Sequence, residues 1–208
     1  LFSRLTKLDP GPIAPVSAVL TLGLGCAAAF GPLVRELGRR AWIALMLVLV
    51  LGAAVEYVGV TSGFPFGRYA YTDAWWPTVP LPSDGHFPLQ VPFAWFLMAG
   101  ASYLAASRLP ALVAPLGGGL LAAGLDLLME PVMAGPLGYW RWLDPGPLPG
   151  GAPVANFLGW LGTATIAGLA MQALGARRVS ESREPVVVLA GHLLLTLGIG
   201  GILSIPVR

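Results

Sequence analysis

Apolar residues in this chain come in six long runs, separated by polar or Pro/Gly-rich connections. The runs are Ile13–Gly31, Ala41–Val60, Leu89–Ser107, Ala111–Met133, Ala155–Gly175 and Val186–Val207. A run of roughly 18 or more apolar residues is long enough to cross the hydrocarbon core of a bilayer as a helix. The alternation that a membrane β-barrel needs is missing, and the runs are too long for strands. The pattern therefore predicts an all-α integral membrane protein, a polytopic bundle of about six transmembrane helices forming one domain over residues 1–208. Gly and Ala are frequent inside the runs, as in Gly117-Gly118-Gly119 and Gly198-Ile199-Gly200-Gly201. Small residues let membrane helices approach closely. No Lys-Ser/Thr follows Gly119, so that triplet is not a phosphate loop.

Composition removes the soluble alternative. Hydrophobic residues make up 56% of the chain and charged residues 11%, with a mean hydropathy of +0.75. A soluble domain carries roughly a quarter charged residues. The net charge of +2 is small and the Lys/Arg residues sit in loops, so no nucleic-acid partner is expected. One cysteine, Cys26, lies in an apolar run; it cannot form an internal disulfide and reads as a helix-packing residue. The chain begins at Leu1 and shows no cleavable signal peptide. An upstream segment, with a further helix, is expected.

The connections after runs one, three and five carry Arg35, Arg39, Arg40, Arg108, Arg177, Arg178 and Arg183. The opposite side carries Arg4, Lys7, Arg68, Arg141 and Arg208. The excess places the first side in the cytoplasm. Both long connections fall on the other side: Thr61–Pro88 and Ala134–Val154, rich in aromatic residues, Pro and Gly. An interfacial aromatic belt accounts for Trp75 and Trp76. It accounts less well for Phe66-Gly67-Arg68-Tyr69 and Tyr139-Trp140-Arg141-Trp142, where an Arg stands among rings. That setting suits a structured cap, with Arg68 and Arg141 folded back over a cavity and held by a carboxylate or stacked on a ring.

Three carboxylates, Glu56, Asp126 and Glu130, lie within the apolar runs. Charge in hydrocarbon is expensive, so an intramembrane ionisable residue points to function. Glu56 is near the end of run two, and Asp126 and Glu130 are in the second half of run four, which crosses in the same direction. Positions 126 and 130 share a helix face. All three converge at similar depth, where Asn156, with Trp160 one turn deeper, can join them. Buried ion pairs with Arg68 and Arg141 are the structural alternative. Crowded carboxyls in a poorly solvated site cannot all ionise cheaply, and a neutral acid beside a carboxylate suits general acid–base chemistry. His86 reads as a loop histidine and His192 as a helix–helix hydrogen bond. No histidine pair or cysteine cluster has metal-ligand spacing, so neither metal nor cofactor is expected. Asp126-x-x-x-Glu130 faintly resembles the Mg-binding carboxylates of membrane prenyltransferases, without their aspartate-rich motifs or their density of Lys/Arg.

Several segments, in order over roughly residues 40–175, are similar to one family. Glu56-Tyr57-Val58-Gly59-Val60-Thr61-Ser62-Gly63-x-Pro65-Phe66-Gly67-Arg68-Tyr69-x-Tyr71-Thr72 resembles the membrane-bound carotenoid hydratases of bacteria and archaea. So do Pro88-Leu89-x-x-Pro92-x-x-Trp95, Asp126-x-x-x-Glu130-Pro131, Trp140-x-Trp142 and, less distinctively, Pro153-Val154-Ala155-Asn156-Phe157-Leu158-Gly159-Trp160. The resemblance implies about seven helices in a bacterial inner membrane. It implies a cofactor-independent hydro-lyase that adds water across the terminal C1′,2′ double bond of an acyclic carotenoid, giving a tertiary alcohol. Its partners would be membrane lipid and a lipid-soluble substrate such as lycopene or γ-carotene. Asp126, Glu130 and Glu56 would be catalytic. Arg68, Tyr69, Tyr71, Trp95, Trp140, Arg141, Trp142, Asn156 and Trp160 would bind substrate or support the site.

This chemistry is physically consistent with the residues. Hydration of a trisubstituted alkene begins with a proton on the less substituted carbon and leaves a tertiary cation. A neutral carboxylic acid can give the proton, aromatic faces can stabilise the cation, and a carboxylate or amide can hold the water. Cyclisation or prenyl transfer on a similar substrate is the competing enzymatic reading. A transporter with a carboxylate relay is the non-enzymatic one, but no internal repeat is evident and the carboxylates cluster near one face.

Overall fold

The computed structural model describes residues 13–82, 85–176 and 183–203, with side chains from 16 to 198 within them. Arg4, Lys7, Arg177, Arg178 and Arg208, used above for orientation, lie outside the described residues. Six helical segments follow the six apolar runs. They are α1 (Ile13–Leu37), α2 (Arg40–Ser62), α3 (Val91–Ala106), α4 (Ala114–Met133), α5 (Val154–Ala173) and α6 (Glu184–Leu203). α1, α2, α4 and α5 are long and apolar enough to cross a membrane, while α3 and the described part of α6 are shorter apolar helices. α1 runs past the expected end at Gly31, through Pro32, and brings Arg35 into an ion pair with Glu184 at the start of α6.

α3 is the central helix. Every residue from Trp95 to Leu104 is buried, so neighbouring helices and not lipid surround its middle. It is not regular: Phe96–Gly100 form a π-helical turn. Such turns usually occur as isolated bulges within α-helices.

Close helix approach rests on glycine where side chains leave no room. A Cβ on Gly118 would lie 2.8 Å from the Tyr103 Cα, which joins α4 to α3. One on Gly119 would lie 2.8 Å from the Leu161 carbonyl oxygen, which joins α4 to α5. The buried face of α2 reads Ala41, Ala44, Val48, Gly52, Glu56 and Gly59, a three/four-residue stripe in which the carboxylate is flanked by two glycines.

The two long connections are more ordered than loops. They carry four short strands: β1 (Tyr69–Tyr71), β2 (Thr78–Pro80), β3 (His86–Pro88) and β4 (Trp140–Trp142). These form one antiparallel sheet in the order β2-β3-β1-β4. The β1–β4 pair joins the first long connection to the second, with Tyr69 opposite Trp142, Ala70 opposite Arg141 and Tyr71 opposite Trp140. Thr72 extends the join: its N–H donates to the Tyr139 carbonyl at 3.0 Å and its hydroxyl to the Gly138 carbonyl at 2.6 Å. This sheet caps the bundle over the ends of α2 and α4.

The glycine packing predicts opposite outcomes at two positions of α4. Gly119→Ala meets the α5 backbone and should destabilise the protein by about 1–3 kcal/mol. Gly124→Ala meets nothing within 4 Å and should be neutral or stabilising by up to about 1 kcal/mol. Thermal stability of the two variants in detergent, followed by size-exclusion chromatography, checks the pair.

Candidate active site

Glu56, Asp126 and Glu130 are all buried, at 5%, 5% and 1% exposure, and line one pocket of about 50 Å³. That is room for a few water molecules. α2 supplies Glu56, α4 supplies Asp126 and Glu130 from one face, and the first two turns of α5 supply Asn156 and Trp160. α3 adds Val91, Ala94 and Trp95, and the cap adds Phe66, Tyr69, Tyr71, Trp75, Trp140 and Trp142.

Glu56 accepts from three donors carried on two elements, β1 and α3. Tyr69 and Tyr71 donate their hydroxyls to Oε2 at 2.5 and 2.8 Å, and Trp95 donates its indole N–H to Oε1 at 2.8 Å. Both tyrosines descend from β1, where period two puts residues 69 and 71 on one face. Burial, reinforced by the Glu56 negative charge, raises both phenol pKa values well above the ordinary range near 10. The phenols therefore remain protonated donors at physiological pH. Room for this cluster is made by the flanking glycines: a Cβ on Gly52 would lie 2.5 Å from the Trp95 side chain, and one on Gly59 2.5 Å from the Tyr69 hydroxyl. Gly159 on α5 makes way for the Phe66 ring in the same manner.

Glu130 is held from the neighbouring strand. Trp140 and Trp142 donate their indole N–H groups to Oε2 at 3.3 and 3.1 Å. Asn156 donates from Nδ2 to Glu130 Oε1 at 3.1 Å and to Asp126 Oδ2 at 2.8 Å. One amide nitrogen thus ties the two α4 carboxyls together. Glu56 and Glu130 each accept three hydrogen bonds, whereas Asp126 accepts one. Among the described residues no Lys, Arg or His lines the pocket.

Aromatic faces complete the walls. Trp95 stacks on Trp160 with ring centres 4.0 Å apart, and Trp75 stacks on Tyr139 at 5.1 Å. Trp75 also approaches Tyr71 and Trp140 at 5.8 and 6.0 Å. The belt reading of Trp75 misses this inward position, which repeated aromatic residues on both long connections could have signalled.

Of the twelve residues singled out from the sequence, ten line the pocket; Arg68 and Arg141 do not. Neither joins the pocket lining or pairs with a buried carboxylate, although Arg68 does meet a carboxylate, that of Asp144, outside the pocket. Strand alternation explains Arg141, because Trp140 and Trp142 turn toward the bundle and the residue between them turns to the exposed face. Arg68 lies 3.6 Å from Asp144, and both side chains are about two-thirds exposed, at 66% and 64%. A guanidinium left in the interface avoids the desolvation cost of burial. His86 sits on β3, 3.5 Å from the Thr78 hydroxyl and away from the pocket lining. His192 is half-buried on α6 and makes no hydrogen bond among the described residues, unlike the contact expected of it. Cys26 donates its thiol to the Phe93 carbonyl at 3.3 Å, a packing contact between α1 and α3.

Comparison with known proteins bears on this arrangement. The chain is 28% identical over 181 residues to the bisanhydrobacterioruberin hydratase of Haloarcula japonica, an alignment covering 80% of this chain and 57% of that protein. The chain therefore spans somewhat more than half the length of the curated relative it matches. No solved structure matches. The model of one family, described as carotenoid biosynthesis protein, matches residues 17–207. With nearly its whole length covered, the chain belongs to the carotenoid biosynthesis protein family.

Proposed function

We propose that this protein is a membrane-embedded carotenoid hydratase of the bacterial inner membrane, adding water across the terminal C1′,2′ double bond of an acyclic carotenoid end group. The observation that carries the reading is the set of three buried carboxyls without a cationic partner, under an aromatic cap. The hydratase relative supports the same reaction class.

The hydrogen-bond count suggests a division of labour. Glu56, with three strong donors, is the carboxyl best stabilised as an anion. Asp126, with one donor and two carboxyl neighbours, is the least compensated and holds the proton. It transfers that proton to C2′ as the alkene electron pair forms the new C–H bond, leaving a tertiary cation at C1′. The indole faces of Trp95, Trp160, Trp140 and Trp142 stabilise the cation. A water held between Glu130 and the Asn156 side-chain oxygen attacks C1′, and Glu130 takes the proton it releases. Return of that proton to Asp126, its neighbour across Asn156, restores the site. The atoms balance with water as the only co-substrate. Cyclisation begins with the same protonation but ends on an alkene carbon, so capture of the cation by water is the step that distinguishes the two.

Asp126→Asn and Glu130→Gln, which preserve shape, should each lower hydration by about 10²-fold or more. Membrane levels should be unchanged. In cells making lycopene, mass analysis should find the hydroxylated product with the wild type only. Heavy oxygen should enter that hydroxyl from labelled water and not from dioxygen. A ring or a longer chain in its place would reject the hydratase reading.

The cap makes a second comparison possible. Trp142→Phe removes a donor to Glu130 and should cost at least about tenfold in turnover. Arg68→Ala and Arg141→Ala, on the outer face, should stay within about twofold of wild type. Product formation per unit of membrane protein measures all three.

A further inference from the structure

The pocket is shallow. The lining residue farthest from the cap is Glu56 on α2, Trp95 on α3, Asp126 on α4 and Trp160 on α5, each within about two turns of the cap-side end of its helix. One turn further in, Gly52, Met98, Ala122 and Ala164 are all buried, and none of them lines the pocket. The place beside Gly52 is filled by Trp95, whose side chain would lie 2.5 Å from a Cβ there. Trp95 in turn stacks on Trp160, with ring centres 4.0 Å apart and planes 18° apart. This ring pair forms the inner end of the pocket.

The two rings differ in their polar duties. Trp95 donates to Glu56. Trp160 donates to none of the three carboxyls, which are met by Tyr69, Tyr71, Trp95, Trp140, Trp142 and Asn156. What Trp160 contributes is therefore bulk. Three of the four residues one turn further in are Gly or Ala, so a smaller side chain at 160 leaves a hollow that its neighbours are too short to fill.

Alkene chemistry gives this end wall a task. In an acyclic carotenoid, saturated carbons isolate the terminal double bond from the conjugated chain. A proton added to the conjugated chain leaves a charge spread over many carbons, so the polyene is the easier base. An acid able to protonate the terminal bond attacks the polyene in preference, unless the polyene is held out of reach. Placing an inner double bond at the carboxyls requires the whole terminal prenyl unit to pass beyond them. The pocket, at about 50 Å³, has room for one branched chain end.

We infer that Trp160 is a specificity residue: stacked on Trp95, its indole occupies the space that a second prenyl unit would need, and so confines the addition of water to the isolated end bond. The inference rests on the proposed carotenoid substrate.

Trp160→Leu and Trp160→Ala are compared with the wild type in cells making an acyclic carotenoid. Water added to the terminal bond leaves the conjugated run, and hence the visible absorption, unchanged. Water added to an inner bond turns one C=C of that run into C–H and C–OH, so the remaining run is shorter and absorbs at shorter wavelength. The expected result is a rise of about tenfold or more in the ratio of blue-shifted to unshifted alcohol for both variants. Fragmentation mass spectrometry reads the hydroxyl position. Leu158→Ala, at an exposed position of α5, should keep the wild-type ratio. Should both Trp160 variants be absent from the membrane, Trp160→Phe should show the same change to a smaller degree. Variants that form the terminal alcohol alone, or that lose all product at wild-type membrane levels, would overturn the role of Trp160 and leave the hydratase reading intact. A ring and no alcohol from the wild type, with a blue-shifted product from the variants, would leave the end wall standing and remove the hydratase reading instead.

Discussion

A carboxyl group inside an apolar bundle must be met by hydrogen-bond donors, and here most of them hang from a single pair of strands. β1 lowers Tyr69 and Tyr71 onto Glu56, and β4 lowers Trp140 and Trp142 onto Glu130. Because the strands pair in register, the two sets of donors are held at a fixed spacing. That spacing is matched below by α2 and α4, which set the distance between the carboxylates. The glycines at 52, 59 and 159 are the corollary, since bulky donors can reach a helix-borne carboxylate only where the neighbouring positions lack side chains.

The identity of the donors matters as much as their number. Tyr, Trp and Asn are neutral, and a carboxyl satisfied by neutral donors is not locked into one charge state. An Arg in the same place would form a bidentate ion pair and fix an anion. The exposure of Arg68 and Arg141 is therefore consistent with a site whose protons must move. The aromatic donors also line the pocket, so the groups that hold the carboxyls double as its apolar wall.

Much of the fold was legible in the sequence, because a bilayer imposes a length on every apolar crossing. α4 ends at Met133 as expected, and α2 and α5 extend within two residues of their apolar runs. The convergence of the three carboxylates followed from helix direction and the four-residue spacing of Asp126 and Glu130. What could not be read was mostly non-local. β1 and β4 are three residues long, too short for alternation to stand out, and their pairing joins segments separated by two helices. Without that pairing, the Arg within Trp-Arg-Trp looks like part of the ring cluster, and alternation sends it the other way. The π-turn in α3 has no local marker, since Phe96–Gly100 is as apolar as the helix around it.

The β1–β4 ladder also dictates an order of assembly. β1 follows α2 in the chain, but its partner emerges only after α3 and α4. When the first four helices have just entered the membrane, Glu56 is already in place while the Tyr-bearing strand has only β3 on one edge and no partner on the other. The cap can close only once the segment after α4 has been synthesised, and Asn156 arrives later still, with α5. The polar centre is thus completed from its rim inward by the last pieces of backbone to reach it. A truncated chain ending just after α4 would carry all three acidic residues into the bilayer, but none of the donors from β4 or α5.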